Sequence, residues 1–156
     1  MQAIMHIIVG ILIFHAVGNS VLAFILIFLS HYIIDVLVLI TYHPKDPQPQ
    51  SKFWVRYHIF LLILTIITLL IFLKIYFWVI IVSLLPDIVD WFFVRPILKK
   101  EPIFHPFIER LRKSKLFSWI PDLTMNPKAT INEWIMLLAF FIVYFILYAP
   151  TNVFQP

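Results

Sequence analysis

Five long apolar stretches, separated by polar segments, dominate the pattern of the chain. They cover approximately residues 3–17, 19–41, 54–73, 75–94 and 131–149. A helix needs about 20 apolar residues to cross the hydrocarbon core of a bilayer, and the last four stretches approach or reach that length. Few positions alternate with a period of two, so the pattern predicts spanning helices and not strands. The first stretch is shorter but lacks the features of a signal peptide, so we expect a short helix that packs inside the bundle or thins the bilayer.

The segments between these stretches carry most of the polar residues. Residues 43–52 contain three prolines and predict a turn-rich loop. Residues 95–129 form the only long connection, where apolar residues recur at helical spacing beside basic ones, as in an amphipathic helix in the headgroup plane. The apolar set is Phe104, Phe107, Ile108 and Leu111, and the basic set is Arg110, Arg112, Lys113 and Lys115. Thr130 and Glu133 form a capping box, which predicts that the last helix begins there.

The composition supports an integral-membrane protein. Hydrophobic residues make up 62% of the 156 residues and charged residues 13%, whereas soluble proteins average about 45–50% and 25%. The absence of cysteine excludes disulfides and thiolate metal sites, and two glycines are too few for a nucleotide-binding loop. We therefore expect one all-α domain over residues 1–156, a polytopic membrane helix bundle of about five spans. Its parts are two helical hairpins (3–41 and 54–94), an interfacial segment (95–129) and a last span (131–149).

The distribution of basic residues predicts the orientation in the membrane. Of the 12 Lys and Arg residues, only Lys74 lies on the side opposite the two long loops. The positive-inside rule therefore places those loops and the N-terminus in the cytoplasm and the C-terminus outside a plasma or inner membrane. The net charge of +4 is then mainly a topology signal, with some attraction to anionic lipid. We expect membrane lipid as the surroundings of the chain and no nucleic-acid partner.

Three carboxylates, Asp35, Asp87 and Asp90, interrupt the apolar stretches. Each costs about 2.5–3.5 kcal/mol at the centre of a spanning helix on insertion scales. Carboxylates in such positions face a cavity, pair with a cation or bind a metal. His31 and Asp35 are spaced i,i+4, and Asp87 and Asp90 are spaced i,i+3, so the members of each pair share a helix face.

Histidines accompany these acids in a weak internal repeat. His6 precedes Asp35 by 29 residues, and His58 precedes Asp87 by the same distance. A helical hairpin begins and ends on one side of the membrane, so these residues should converge on the cytoplasmic leaflet. Imidazole and carboxylate ligands suit Zn²⁺, Mn²⁺, Fe²⁺ or Ni²⁺ in one or two sites. The predicted metal ligands are His6, His31, Asp35, His58 and Asp87, and Asp90 is predicted to be a further ligand or the catalytic general base.

Different roles are expected for the other three histidines. His15 lies half a helical turn out of phase with His6, so it is predicted to pack or to form hydrogen bonds. His43 and His105 both precede proline in loops and are expected to face solvent. His105 keeps an alternative role as a substrate or metal group, because its loop lies over the same leaflet as the predicted site.

Two of these motifs resemble a known family. Residues 29–37 (LSHYIIDVL) resemble the LSHxxxDxL segment of the YdjM-like family of bacterial inner-membrane proteins, and residues 83–88 (SLLPDI) resemble its LLPDID segment. That family consists of small multi-pass proteins described as metal-dependent hydrolases. The resemblance implies that His31, Asp35 and Asp87 are metal ligands. In the family an Asp-His pair follows the Pro-Asp motif and the LSHxxxD segment comes second, whereas here the second acid is Asp90 and that segment comes first.

Three functions remain open at this point. The first is a metal-dependent hydrolase that acts on a lipid or lipid-linked phosphate or ester at the cytoplasmic leaflet, with basic residues 110–115 attracting anionic headgroups. The second is a divalent-cation or proton transporter, which predicts polar residues through the whole depth of the membrane. The third is a non-catalytic membrane scaffold or partner subunit, which predicts that the carboxylates pair with Arg56, Arg95 or Lys99.

Overall fold

The computed structural model describes residues 3–44 and 46–148. Lys45, a predicted loop residue, and Ala149, the predicted end of the last span, lie outside the described residues. All regular structure in the described ranges is helical, which confirms the all-α prediction. The helices are α1 (Ala3–Ala16), α2 (Ser20–Leu37), α3 (Lys52–Asp87), α4 (His105–Arg112) and α5 (Thr130–Tyr148). Short 3-10 segments lie at Val38–Ile40 and Pro127–Ala129, and a π-helical segment follows α3 at Ile88–Val94.

Three helical stretches within the described residues are long and apolar enough to cross a membrane. They are Ser20–Ile40, Lys52–Val94 and Pro127–Tyr148, and Ala3–Ala16 is a shorter apolar helix. Their outer faces carry large apolar side chains in exposed positions, for example Leu70, Ile75 and Ile146. Soluble monomers rarely expose continuous apolar surface on this scale, so the fold is compatible with a bundle surrounded by lipid.

Side chains at the helix starts explain where α2 and α3 begin. The Asn19 side chain accepts a hydrogen bond from the Leu22 amide at 3.0 Å. The Ser51 hydroxyl accepts one from the Trp54 amide at 3.2 Å. Both bonds satisfy amides that have no partner within the first helical turn.

Helix α5 begins at Thr130 as predicted, but not through the predicted capping box. Glu133 accepts a hydrogen bond from the Tyr57 hydroxyl of α3. The Thr130 hydroxyl donates to the Pro127 carbonyl at 2.9 Å. The Glu133 carboxylate is buried against α3, and this tertiary contact replaces the local bond that the sequence pattern favours.

The first half of α3 runs alongside α5 in the same direction. Tyr57 bonds Glu133 near the start of α5, and Phe72 packs on Tyr144 near its end, with ring centroids 5.6 Å apart. Tyr76 then has non-helical backbone angles (φ −114°, ψ 30°), so two helices meet at this residue.

The second half of α3 returns along α1. Tyr76 contacts His15 near the end of α1, whereas Ser83 lies beside Gly10 in its middle. Ser83 also accepts a hydrogen bond from His31 of α2 at 2.9 Å. The chain therefore folds back at Tyr76, and the start of α1 and the end of α3 lie at the same end of the bundle.

Helix α1 is the centre of this bundle. Its buried residues are Ile4, Met5, His6, Ile7, Ile8, Gly10 and Ile11. They pack with apolar residues of α2, α3 and α5 in one core. This burial confirms that the short first helix packs inside the bundle.

Helix α4 forms where the amphipathic pattern predicts a helix. Its Ile108 side chain is buried, and Phe107 packs edge-to-face against Tyr32 of α2. The sequence pattern puts Arg112 on the polar face of this helix, but its side chain contacts α2. The Nη2 atom of its guanidinium donates a hydrogen bond to the main-chain carbonyl of Asp35 at 2.7 Å. The carbonyls at the end of a helix lack intrahelical partners, so Arg112 caps α2 and holds α4 against it.

The contact at Gly10 yields a prediction about packing. A Cβ atom at Gly10 would lie 2.1 Å from Ser83 Oγ. We expect Gly10→Ala to lower the free energy of unfolding by about 1–3 kcal/mol through overpacking between α1 and α3. Thermal unfolding in detergent, followed by circular dichroism, measures the change.

Two further variants isolate this contact. Gly18→Ala is the matched control, because a Cβ there meets nothing within 4 Å, and its stability should change by less than about 1 kcal/mol. Adding Ser83→Ala to Gly10→Ala removes the clashing hydroxyl and should recover part of the loss. A Gly10→Ala protein that is as stable as Gly18→Ala would contradict close packing at Gly10.

Candidate metal centre

Side chains from four helices meet at the end of the bundle where α1 begins and α2 ends. His6 comes from α1, His31 and Asp35 from α2, Asp87 from the end of α3 and His105 from the start of α4. His6 and His31 are 1% and 0% exposed. Their rings stack with centroids 4.0 Å apart. Four of the five predicted metal ligands are therefore in this cluster, together with His105, for which a role in the site was the alternative expectation.

The distances in the cluster resemble the spacing of metal ligands more than that of hydrogen bonds. His6 Nε2 lies 3.2 Å from Asp35 Oδ1. His31 Nε2 lies 3.4 Å from Asp35 Oδ2 and 3.7 Å from Asp87 Oδ1. Charge-assisted hydrogen bonds are shorter, at about 2.7–2.9 Å. Two ligand atoms that each lie about 2.0–2.1 Å from one tetrahedral Zn²⁺ are separated by about 3.3 Å.

The histidines also offer unpaired nitrogen atoms. His31 Nδ1 donates to the Ser83 carbonyl at 2.9 Å, so its Nε2 faces the two carboxylates. In the described part of the chain, the buried side-chain nitrogens without a hydrogen-bond partner are His6 Nδ1, His6 Nε2 and His31 Nε2. An unpaired buried polar atom costs about 1–3 kcal/mol. A cation between the imidazoles and the carboxylates would satisfy the two Nε2 atoms, so the residues fit a divalent metal ion.

Asp90 has different surroundings from Asp35 and Asp87. Its carboxylate oxygens accept hydrogen bonds from the amides of Ile103, Phe104 and His105 at 2.8, 2.8 and 3.0 Å. The Asp90–His105 Nδ1 distance is 2.7 Å, the length of a direct hydrogen bond. Asp90 therefore caps the start of α4 and orients the imidazole of His105. Its predicted catalytic role stays a prediction, and its contacts favour a positioning role.

His105 lies in the cluster, which is the alternative role that the sequence left open for it, and its side chain is 26% exposed. Its Nε2 lies 3.4 Å from Asp87 Oδ1 and accepts a hydrogen bond from Trp91 Nε1 at 3.0 Å. Burial opposes protonation of the ring, but the carboxylates of Asp87 and Asp90 outweigh it and raise the pKa of His105. A cation at this ring would compete with that proton. The only sequence signal for this placement is the loop position over the same leaflet.

His58 is the one predicted ligand that the structure does not bring to the cluster. Its Nδ1 bonds the Trp54 carbonyl at 2.8 Å, and its ring stacks on Trp54. His15 forms a hydrogen bond with Tyr76 at 2.6 Å, which confirms the role expected from its phase on α1. His43 is exposed, as expected, and it lines a cavity beside the cluster.

This cavity has a volume of about 640 Å³ and opens next to the cluster. Asp35, Asp87 and His105 line its polar part, and Arg112 and Glu109 lie at its side. Its apolar walls are Leu84, Ile88, Trp91 and Phe92. Phe92 is 73% exposed on the outer surface. The cavity can therefore accept a molecule that has both a polar and an apolar part.

Within the described residues, Asp87 and Asp90 do not pair with the basic residues that the scaffold hypothesis names. Asp87 instead lies 3.7 and 3.4 Å from imidazole nitrogens of His31 and His105, and Asp90 lies 2.7 Å from Nδ1 of His105. The Arg95 guanidinium lies instead over the ring of Trp91, 4.4 Å from its centroid. Histidine therefore takes the place that Arg or Lys would take in a purely structural ion pair.

Comparison with known proteins adds nothing to this geometry. The resemblance to the YdjM-like family stays a prediction that rests on two short motifs. The case for a metal centre depends on contacts within this chain. No family model, no curated protein and no solved structure matches the sequence or the fold.

Proposed function

We propose that the protein is a membrane-embedded, metal-dependent hydrolase that acts on a lipid or lipid-linked phosphate or ester at the cytoplasmic leaflet. One observation carries the proposal. Buried imidazole and carboxylate atoms lie at the spacing of a metal coordination shell, and a cavity opens beside them. A hydrolase needs this combination of a held cation and room for a substrate.

The metal ion would be held by His6, His31 and Asp87, whose ligand atoms lie within 4.8 Å of one another. Asp35 completes this set, because its two oxygens face the Nε2 atoms of both histidines. Imidazole and carboxylate together suit Zn²⁺, Mn²⁺, Fe²⁺ or Ni²⁺. A bound divalent ion lowers the pKa of a coordinated water towards about 7 and polarises the bond to be cleaved.

The other residues of the site would bind and orient the substrate. The apolar wall of Trp91 and Phe92 would contact a lipid chain, because these residues lie on the exposed apolar surface of the bundle. Arg112 lies at the cavity, where its guanidinium forms an ion pair with Glu109 at 2.8 Å, and the basic segment 110–115 would attract an anionic headgroup. Asp90 would hold the imidazole of His105 towards the cavity through its 2.7 Å hydrogen bond.

The membrane topology proposed with this function has five helical passes. The reversal at Tyr76 divides the long stretch Lys52–Val94 into two passes, and α1, α2 and α5 supply the other three. The excess of Lys and Arg near the metal-centre end favours a cytoplasmic position for that end, in a plasma or inner membrane. The metal centre then faces the cytoplasmic leaflet.

The two other functions receive less support from the contacts. A transporter needs ligands along the depth of the membrane, whereas the carboxylates and imidazoles of the cluster gather at one end. At the opposite end, His15 forms a hydrogen bond with Tyr76. A scaffold needs no buried imidazole nitrogens that lack a hydrogen bond, yet the Nε2 atoms of His6 and His31 have none and lie 3.2–3.7 Å from carboxylate oxygens. Buried polar groups without partners are rare in purely structural cores.

The proposed topology predicts the accessibility of single cysteines, which is easy to measure because the natural chain has none. A membrane-impermeant maleimide applied to intact cells should label Lys74→Cys. It should label Asp46→Cys and Lys113→Cys only after lysis. Labelling of Asp46→Cys in intact cells would overturn the orientation. A Lys74→Cys that stays unlabelled even after lysis would contradict a reversal at the outer surface.

The proposed metal centre predicts that the purified protein binds a divalent ion. Elemental analysis in detergent should find Zn, Mn, Fe or Ni in the wild type and a large loss in Asp87→Asn. The Asp87 carboxylate belongs to both groups of ligand atoms, so we expect hydrolysis to fall by about 100-fold or more. Vesicles that contain phosphatidic acid and phosphatidylglycerol serve as the substrate probe, with released phosphate and fatty acid as readouts.

Asp46→Asn is the matched control for this experiment. It removes the same kind of carboxylate from an exposed loop position outside both ligand groups. Metal content and turnover should equal those of the wild type. A wild-type protein without bound metal, whose turnover is unaffected by Asp87→Asn, would favour the scaffold hypothesis.

A further inference from the structure

We propose that the cluster holds two cations in unlike surroundings, the second one at a cavity-facing position. The inner position consists of His6, His31 and Asp87, and the outer position consists of Asp35, Asp87 and His105. In each group, one ligand atom per residue lies within 4.8 Å of the others. This inference rests on the proposed function, because the inner position is the metal centre proposed above.

The two positions differ in their access to solvent. The histidines of the inner position are 1% and 0% exposed and do not line the cavity. All three residues of the outer position line it, and the side chains of Asp87 and His105 are 28% and 26% exposed. Structural metal sites are closed, whereas catalytic sites keep an open position for water or substrate. The inner ion would therefore stabilise the bundle, and the outer ion would meet the substrate.

Asp87 joins the two positions, and so does Asp35, whose oxygens also face the Nε2 atoms of the inner histidines His6 and His31. The Oδ1 atom of Asp87 lies 3.7 Å from His31 Nε2 and 3.4 Å from His105 Nε2. It therefore stands between an imidazole of the inner position and the imidazole of the outer one. Hydrolytic sites with two metal ions about 3.5–4 Å apart stabilise both the attacking and the leaving oxygen. A shared carboxylate is consistent with such a pair.

Asp90 fixes the tautomer and the orientation that His105 needs as a ligand of the outer ion. It accepts the Nδ1 proton of His105, so the lone pair of the neutral ring lies on Nε2. A histidine that ligates a metal commonly donates its other ring proton to a carboxylate. Asp90 itself is fixed by three main-chain amides, so the orientation of the ring is preset.

Trp91 competes with a cation at the outer position. Its indole N–H donates to His105 Nε2 at 3.0 Å, using the lone pair that a metal ion needs. An ion at the outer position therefore requires the indole to turn away into the cavity that it lines. Filling of the outer position should change the fluorescence of this tryptophan.

The number of bound ions tests the inference. The full-length protein in detergent is stripped with a chelator, reloaded with Mn²⁺ and desalted, and its manganese is counted and examined by electron paramagnetic resonance. We expect two ions per chain with a spin-coupled signal in the wild type. We expect one uncoupled ion in His105→Gln. His58→Gln is the matched control, because His58 belongs to neither group, and it should keep two ions.

The other outcomes separate this inference from the proposed function. A wild type without manganese would overturn both. One ion in the wild type would overturn the second position and leave the metal centre intact. Two ions in His105→Gln, or none in a His105→Gln protein of wild-type helicity and size, would likewise overturn the division into two positions.

A titration with Zn²⁺ provides a second readout that does not depend on the His105 variant. The second equivalent should change the tryptophan fluorescence of the wild type, and Trp91→Phe should abolish that change while keeping two bound ions. An unchanged wild-type fluorescence on adding the second equivalent would overturn the outer position.

Discussion

The structure depends on how carboxylates are kept inside an apolar bundle. An isolated carboxylate at the centre of a spanning helix costs about 2.5–3.5 kcal/mol on insertion scales, and this chain places three near one end of its core. Asp35 and Asp90 are buried, and Asp87 is half-buried. Each must be compensated by donors or by a cation, because burial without compensation would cost more than a marginally stable domain can bear. The positions of α1, α2 and α4 follow from this need, since each contributes an imidazole to one of these acids.

The carboxylates of this site are compensated in two different ways. Asp90 is compensated by protein donors alone, namely three amides and one imidazole at 2.7–3.0 Å. Asp87 has only imidazole nitrogens as ion-pair partners among the described residues, at 3.4 and 3.7 Å. These distances leave its negative charge poorly matched by direct hydrogen bonds, yet they leave space for a cation. The difference between short and long contacts is the physical basis for separating a positioning carboxylate from a metal-binding one.

The sequence allowed much of this fold and part of the site to be predicted. Apolar runs predicted α1, α2 and α5, and helical spacing of apolar residues predicted α4. The two spans predicted at 54–73 and 75–94 are one long helix, α3, with a break at Tyr76, followed by the π-helical segment. The 29-residue spacing correctly paired His6 with Asp35 but did not bring His58 to Asp87. Tyr57 and Leu61 form the buried face of α3, and His58 lies about 100° around the helix from Tyr57. The spacing therefore predicted the end of the bundle at which His58 lies. It did not predict which face of α3 carries His58, because tertiary packing decides which face is buried. The role of His105 was predicted only as an alternative, because a loop of irregular structure delivers this residue and no periodic pattern encodes that path.

The end of α3 shows how a local irregularity produces the arrangement of the acids. Pro86 has no amide proton, so it removes one helical hydrogen bond just before Asp87, and the chain continues as a π-helical segment from Ile88 to Val94. In a regular helix, residues three apart face nearly the same direction. Here Asp87 meets His105 through Nε2, and Asp90 meets the same ring through Nδ1. Two acids three residues apart, one at the end of α3 and one in the π-helical segment, therefore contact the two nitrogens of one imidazole. One acid can then orient the ring while the other faces the cavity, which is the division of labour that a metal-dependent site requires.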